Sequence, residues 1–99
     1  MPETNVKNIV TVQNPQGLHM RPAYMFAETA ARFESKIELE KGSVRIDGKS
    51  VLSILTLGAA QGTEVSIEAT GNDAQNAVDT LSNLVISGFE TSEDTDRSD

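Results

Sequence analysis

Asn14-Pro15-Gln16-Gly17-Leu18-His19-Met20-Arg21-Pro22 separates two stretches of opposite periodicity, and its two flanks decide the fold. On the N-terminal side, Ile9-Val10-Thr11-Val12 is a β-branched run that stops at the Asn14-Pro15 breaker. Residues 7–13 are therefore expected to form a strand. On the C-terminal side, Ala23, Phe26, Ala27, Ala30 and Phe33 recur at spacings of three and four, which predicts an amphipathic helix of about a dozen residues. Pro22 suits the first turn of that helix, because its φ is already helical and its missing N–H is not needed there. Tyr24, Met25 and Glu28 fall off the centre of the apolar stripe and are expected to be partly exposed.

The chain's one histidine lies where this helix begins. The first N–H groups of a helix have no intrahelical partner, and the helix dipole leaves partial positive charge there, so anions bind at such ends. Arg21 adds a permanent forked cation whose geometry matches phosphate oxygens. The dipole itself disfavours a cation at this end, so Arg21 makes most sense if an anion visits. A neutral imidazole is a competent nucleophile near pH 7. Nucleophile, oxyanion donors and guanidinium together point to phosphoryl transfer onto His19. The plainer reading, a capping or surface histidine after a Pro-x-Gly turn, stands beside it.

Alternation continues the architecture. Ile37 and Leu39 share one face of residues 36–41, a Gly42-Ser43 turn follows, and Val44-Arg45-Ile46 completes a β-hairpin. Asp47-Gly48-Lys49-Ser50 turns again, with Ser50 placed to N-cap a short helix carrying Val51, Leu52, Ile54 and Leu55, closed near Gly58. Gln61-Gly62 leads into a strand with Val65, Ile67 and Ala69 on one face. Gly71-Asn72-Asp73 starts a last helix with Ala74, Ala77, Val78, Leu81, Leu84 and Val85 as its stripe, and Gly88 closes it. One-sided strands call for helices on one face and water on the other. The expected fold is α+β in the order βαββαβα.

Ninety-nine residues suffice for one core. The chain has no cysteine, which excludes disulfides and thiolate metal sites, is compatible with a reducing cytoplasm, and with a single histidine makes a zinc site improbable. The net charge of −7 argues against nucleic acid, and no apolar run is long enough to span a membrane. No signal peptide is visible, and a domain with its own Met1 suggests a free-standing cytoplasmic protein. Glu90, Glu93, Asp94, Asp96 and Asp99 against Arg97 give the last ten residues a charge of −4. With no apolar residue after Phe89, residues 90–99 are expected to be a disordered acidic tail on a domain spanning 1–89. Near His19 there is no second general acid or base, and the chain has no nucleotide-binding glycine loop, so a stand-alone enzyme is remote.

Two motifs taken together, Asn14-Pro15-x-Gly17-Leu18-His19-x-Arg21-Pro22-Ala23 and Gly48-Lys49-Ser50-Val51-Leu52-Ser53-Ile54-Leu55-Thr56-Leu57-Gly58-Ala59, resemble the HPr family of histidine-containing phosphocarriers. Gly62-Thr63 and Gly71-Asn72-Asp73-Ala74 extend the likeness, which runs from about Val6 to Phe89. The resemblance implies an open-faced β-sandwich, a four-stranded antiparallel sheet covered on one face by three helices. It implies that His19 takes a phosphoryl group on Nδ1 from phospho-Enzyme I, charged by phosphoenolpyruvate, and passes it to EIIA components of sugar permeases, with Arg21 steadying the phosphoryl oxygens. Ser50 stands where an ATP-dependent HPr kinase/phosphorylase acts in regulated relatives. Met20, Tyr24, Val51, Leu52 and Leu55 would form the docking patch, although core packing competes for Val51 and Leu55. No cofactor is implied. Glu28, Ala31 and Ser53 occupy surface where many relatives carry lysines, and Met20 replaces a residue that is often small. These departures weaken electrostatic steering and leave open a second reading, a regulatory protein whose phosphorylation at His19 or Ser50 controls partner binding.

Overall fold

The structure is a computed structural model that describes residues 3–90. Seven elements follow in the order β1 (Asn5–Thr11), α1 (Met20–Ala30), β2 (Lys36–Lys41), β3 (Val44–Asp47), α2 (Val51–Thr56), β4 (Glu64–Thr70) and α3 (Ala74–Ile86). The strands form one antiparallel sheet in the order β1-β4-β2-β3. The α+β order βαββαβα is the one the alternation predicts, and the open-faced antiparallel sandwich is the one the resemblance implies.

Register explains the two faces. Val10 opposite Val65, Ile37 opposite Ala69, and Leu39 opposite Ile67 all point into the core. Above them lie Ala23, Phe26, Ala27 and Ala30 of α1, Ile54 of α2, and Ala74, Ala77, Val78, Leu81 and Val85 of α3, all buried. Small residues on α1 and α3 let both helices approach the sheet and each other closely. α3 packs along β1 and β4, and α1 lies against α2 and α3.

The opposite face carries charge. Arg45 donates to Glu38 and Glu68 at 2.6 Å each, and Lys7 lies 3.6 Å from Glu40. The hydrogen bonds to Glu68 and Glu38 hold the Arg45 guanidinium above its ordinary range, and the bond from Arg45 holds the Glu68 carboxyl below its own. These pairs are exposed, so each adds little stability. They set the wet side of the sheet and occupy three acids.

The sequence-based boundaries shift in three places. β1 begins at Asn5 rather than Lys7, because Asn5 and Val6 find partners in Thr70 and Ala69 of β4. α1 ends at Ala30, so Phe33 lies past the C-cap Ala31, half-buried against the core from a turn rather than on the helical stripe. Phe89, beyond α3, is fully buried with φ +64. Its N–H donates to the Leu84 carbonyl at 2.9 Å while Gly88 N–H donates to Val85, a Schellman closure that turns the chain back onto the core. Except for Glu90, the acidic segment lies outside the described residues.

Candidate functional site

The 14–18 loop is pinned from below by the connection between α2 and β4. Leu18 N–H donates to Ala59 O at 2.9 Å, and just before the loop Val12 N–H donates to Thr63 O and Val12 O accepts Gly62 N–H, each at 2.9 Å. Gly17 has φ +71 and is buried, and a Cβ there would meet the Ala59 carbonyl oxygen and lie 2.9 Å from Ala60 Cα. Only glycine allows both the conformation and the approach. Leu18 then plugs into the core and leaves the next residue facing outward.

That residue, His19, is the N-cap of α1, with extended backbone (φ −80, ψ −167) and an exposed side chain that makes no capping bond. Its carbonyl accepts the first helical bond, from Ala23 N–H at 3.0 Å. The N–H groups of Met20 and Arg21 therefore precede the intrahelical ladder, and no acidic residue occupies the first turn. Arg21 is the second helical residue and is exposed. The imidazole, the start of a dipole and a guanidinium thus lie within three consecutive residues of one exposed helix end.

The other predicted residues divide between surface and core. Met20 and Tyr24 are exposed one turn apart on α1, and the Tyr24 hydroxyl donates to Glu28 at 3.2 Å. Leu52 on α2 is 74% exposed, whereas Val51 and Leu55 are half-buried against the core. Since α1 and α2 pack together, Met20, Tyr24 and Leu52 are the outward apolar groups of that pair, and Val51 and Leu55 are its rim. Ser50 is the N-cap of α2, its Oγ accepting Ser53 N–H at 3.2 Å.

Two lysines cap the far ends of α1 and α2. Lys49 Nζ donates to Phe33 O at 2.8 Å, and Lys41 Nζ donates to Leu57 O at 2.9 Å, each just past the C-terminal end of a helix. Sequence reasoning could not find those roles, since each joins residues sixteen apart. In the sequence Asn14 reads only as part of a breaker, whereas its side-chain amide is bonded within the 14–17 turn. A surface depression of about 330 Å³ lies elsewhere, lined by Lys36, Ile37, Glu38, Arg45, Ile46 and Asp47, and holds none of the candidate residues. Among the described residues no His, Cys, Asp and Glu group is arranged to hold a metal ion, and no helix is long and apolar enough to cross a membrane.

An open-faced sandwich that presents an exposed imidazole at a helix N-terminus has the architecture of a phosphocarrier domain. A family model described as "PTS HPr component phosphorylation site" matches residues 6–87. Phosphocarrier protein HPr of Neisseria meningitidis is 33% identical over 84 residues, covering 85% of this chain and 94% of the relative. HPr-C-His from Thermoanaerobacter tengcongensis superposes with a TM-score of 0.82 at 37% identity, over 85% of this chain and 94% of that one. Crh, the Bacillus subtilis catabolite repression HPr, gives a TM-score of 0.62 at 38% identity, over 81% and 95%. The chain belongs to the HPr family, the phosphocarrier proteins of the phosphotransferase system.

Proposed function

We propose that His19 is the phosphoryl acceptor and that this protein carries phosphate from phospho-Enzyme I, charged by phosphoenolpyruvate, to EIIA components of sugar permeases in the cytoplasm. The observation that carries the reading is the exposed, uncapped imidazole at the start of α1. In the transfer, the His19 Nδ1 lone pair forms the new P–N bond while the bond from phosphorus to the donor breaks, and the donor atom keeps that electron pair. Phosphoryl transfer passes through a loose transition state, so alignment and charge stabilisation supply most of the rate. Arg21 and the N–H groups that open α1 supply positive charge where the phosphoryl oxygens gather. No acidic residue occupies the first turn of α1 beside His19, and the carrier's partners complete the site. Met20, Tyr24 and Leu52 offer the apolar contact, with Val51 and Leu55 beneath them.

Ser50 is the site we assign to regulation by an HPr kinase/phosphorylase. A phosphate at the N-cap of α2 would sit favourably on the helix while adding about two negative charges beside the docking face. It would repel the phosphorylated donor without unfolding the domain. Similarity to a protein named for catabolite repression supports a second reading, in which phosphorylation mainly selects partners. The two are separated by incubating the protein with phosphoenolpyruvate, Enzyme I and an EIIA component. The carrier reading expects phosphate to move onward to EIIA and Arg21→Ala to slow its uptake. Phosphate that loads but never leaves favours the regulatory reading.

A further inference from the structure

We infer that Asn14 is a positioning residue for phosphoryl transfer, holding the loop that aims His19; this rests on the carrier reading above. Residues 14–17 form a turn closed by Gly17 N–H donating to the Asn14 carbonyl at 2.9 Å. The Asn14 side chain closes the same turn a second time, its Nδ2 donating to the Gly17 carbonyl. One residue thus grips both backbone groups of Gly17, two positions before the acceptor histidine. Only the amide NH₂ can face that carbonyl, because the alternative orientation would bring two oxygens together.

The other half of the same amide is unusual. Asn14 Oδ1 is buried and has no hydrogen-bond partner among the described residues. A buried acceptor without a partner is a cost to the fold. An alanine at position 14 would remove this acceptor and the Nδ2 donor together. What the asparagine supplies in exchange is the second grip on the Gly17 carbonyl, and through Gly17, Leu18 and His19 the direction of the imidazole. Leu18 N–H is held independently by Ala59, so the Asn14 grip fixes the peptide between two anchors rather than the loop's general location.

Because the docking residues are on α1 and α2 and not in this loop, the effect belongs in the transfer step. The test is steady-state and rapid-mixing phosphoryl transfer from Enzyme I and phosphoenolpyruvate to wild type, Asn14→Ala and Asn14→Asp, with thermal unfolding of each. Misplacing a reacting group by about 1 Å costs on the order of a hundredfold, so the maximal rate is expected to fall by roughly tenfold or more in both variants. KM for the carrier should stay within about twofold, and Tm of Asn14→Ala should shift by less than about 5 °C. Asn14→Asp keeps the shape and lacks the donor, so it answers the question even if the alanine variant folds poorly. A maximal rate equal to wild type in Asn14→Asp would overturn the inference, as would a loss confined to KM or one that tracks Tm. Failure of wild type itself to take phosphate would instead remove the carrier reading.

Discussion

The Asp73 carboxylate reaches back across thirty-eight residues to Ser35, accepting its backbone N–H at 3.0 Å and its hydroxyl at 2.5 Å. The same carboxylate accepts Glu34 N–H at 2.9 Å. Asp73 therefore caps the turn after α1 instead of its own helix α3, for which it makes no side-chain bond. Gly71 makes room for this: a Cβ there would lie 2.5 Å from Ser35 Oγ. The turn that leads into β2 and the turn that leads into α3 become one unit.

That contact carries a pH signature. The bond from the Ser35 hydroxyl, then that from Glu34 N–H, hold the Asp73 carboxyl below the usual range. A depressed folded-state value means the contribution is complete above the unfolded value near 4 and disappears as pH falls through the folded one. Urea midpoints of wild type should therefore decline on acidification below about pH 4. Asp73→Asn should unfold more easily at pH 7 and show a shallower acid limb. Parallel curves for the two proteins would contradict the assignment.

Gly17→Ala tests the support beneath His19. The left-handed φ alone costs an alanine about 1–2 kcal/mol, and the new methyl group meets rigid backbone at Ala59 and Ala60. Denaturant melts should show at least that loss, with slowed phosphoryl uptake. An alanine variant of unchanged stability would mean the loop can move away from the α2–β4 connection.

Phe89 shows how much of the fold could be read without a structure. The strands were legible because Ile37, Leu39, Val65, Ile67 and Ala69 alternate, and α1 and α3 because their stripes repeat at helical spacing. Phe89 stands alone beyond Gly88, and only the Schellman closure turns it into the core. Ser82 is similar: its burial follows from the bond it accepts from Asn8 at 3.1 Å, a pairing seventy-four residues apart. Of the site, the His19 position and the Ser50 cap were visible, since each depends on its immediate neighbours. The division of α2 into an outward Leu52 and half-buried Val51 and Leu55 needed the packing of α1 beside it. Phe89→Ala should cost about 3–5 kcal/mol in chemical unfolding, and a loss below about 1 kcal/mol would argue against the buried placement.

Ser50 and Leu52 separate structure from docking on α2. Ser50→Ala removes the bond from Ser53 N–H and should cost about 1 kcal/mol of stability. Leu52→Ala should change stability by less than about 0.5 kcal/mol, because the side chain is already 74% exposed. Calorimetric titration with Enzyme I should nevertheless weaken by about 1 kcal/mol or more for Leu52→Ala. Equal binding by wild type and Leu52→Ala would remove α2 from the interface.

The central claim is that His19 is the acceptor. Purified protein would be incubated with phosphoenolpyruvate and Enzyme I, and the phosphate mapped to a residue and tested for acid lability. The account predicts one acid-labile phosphate on His19, none in His19→Ala, and a Tm for that variant close to wild type. Label retained by His19→Ala, or an acid-stable phosphate on any other residue, would contradict it.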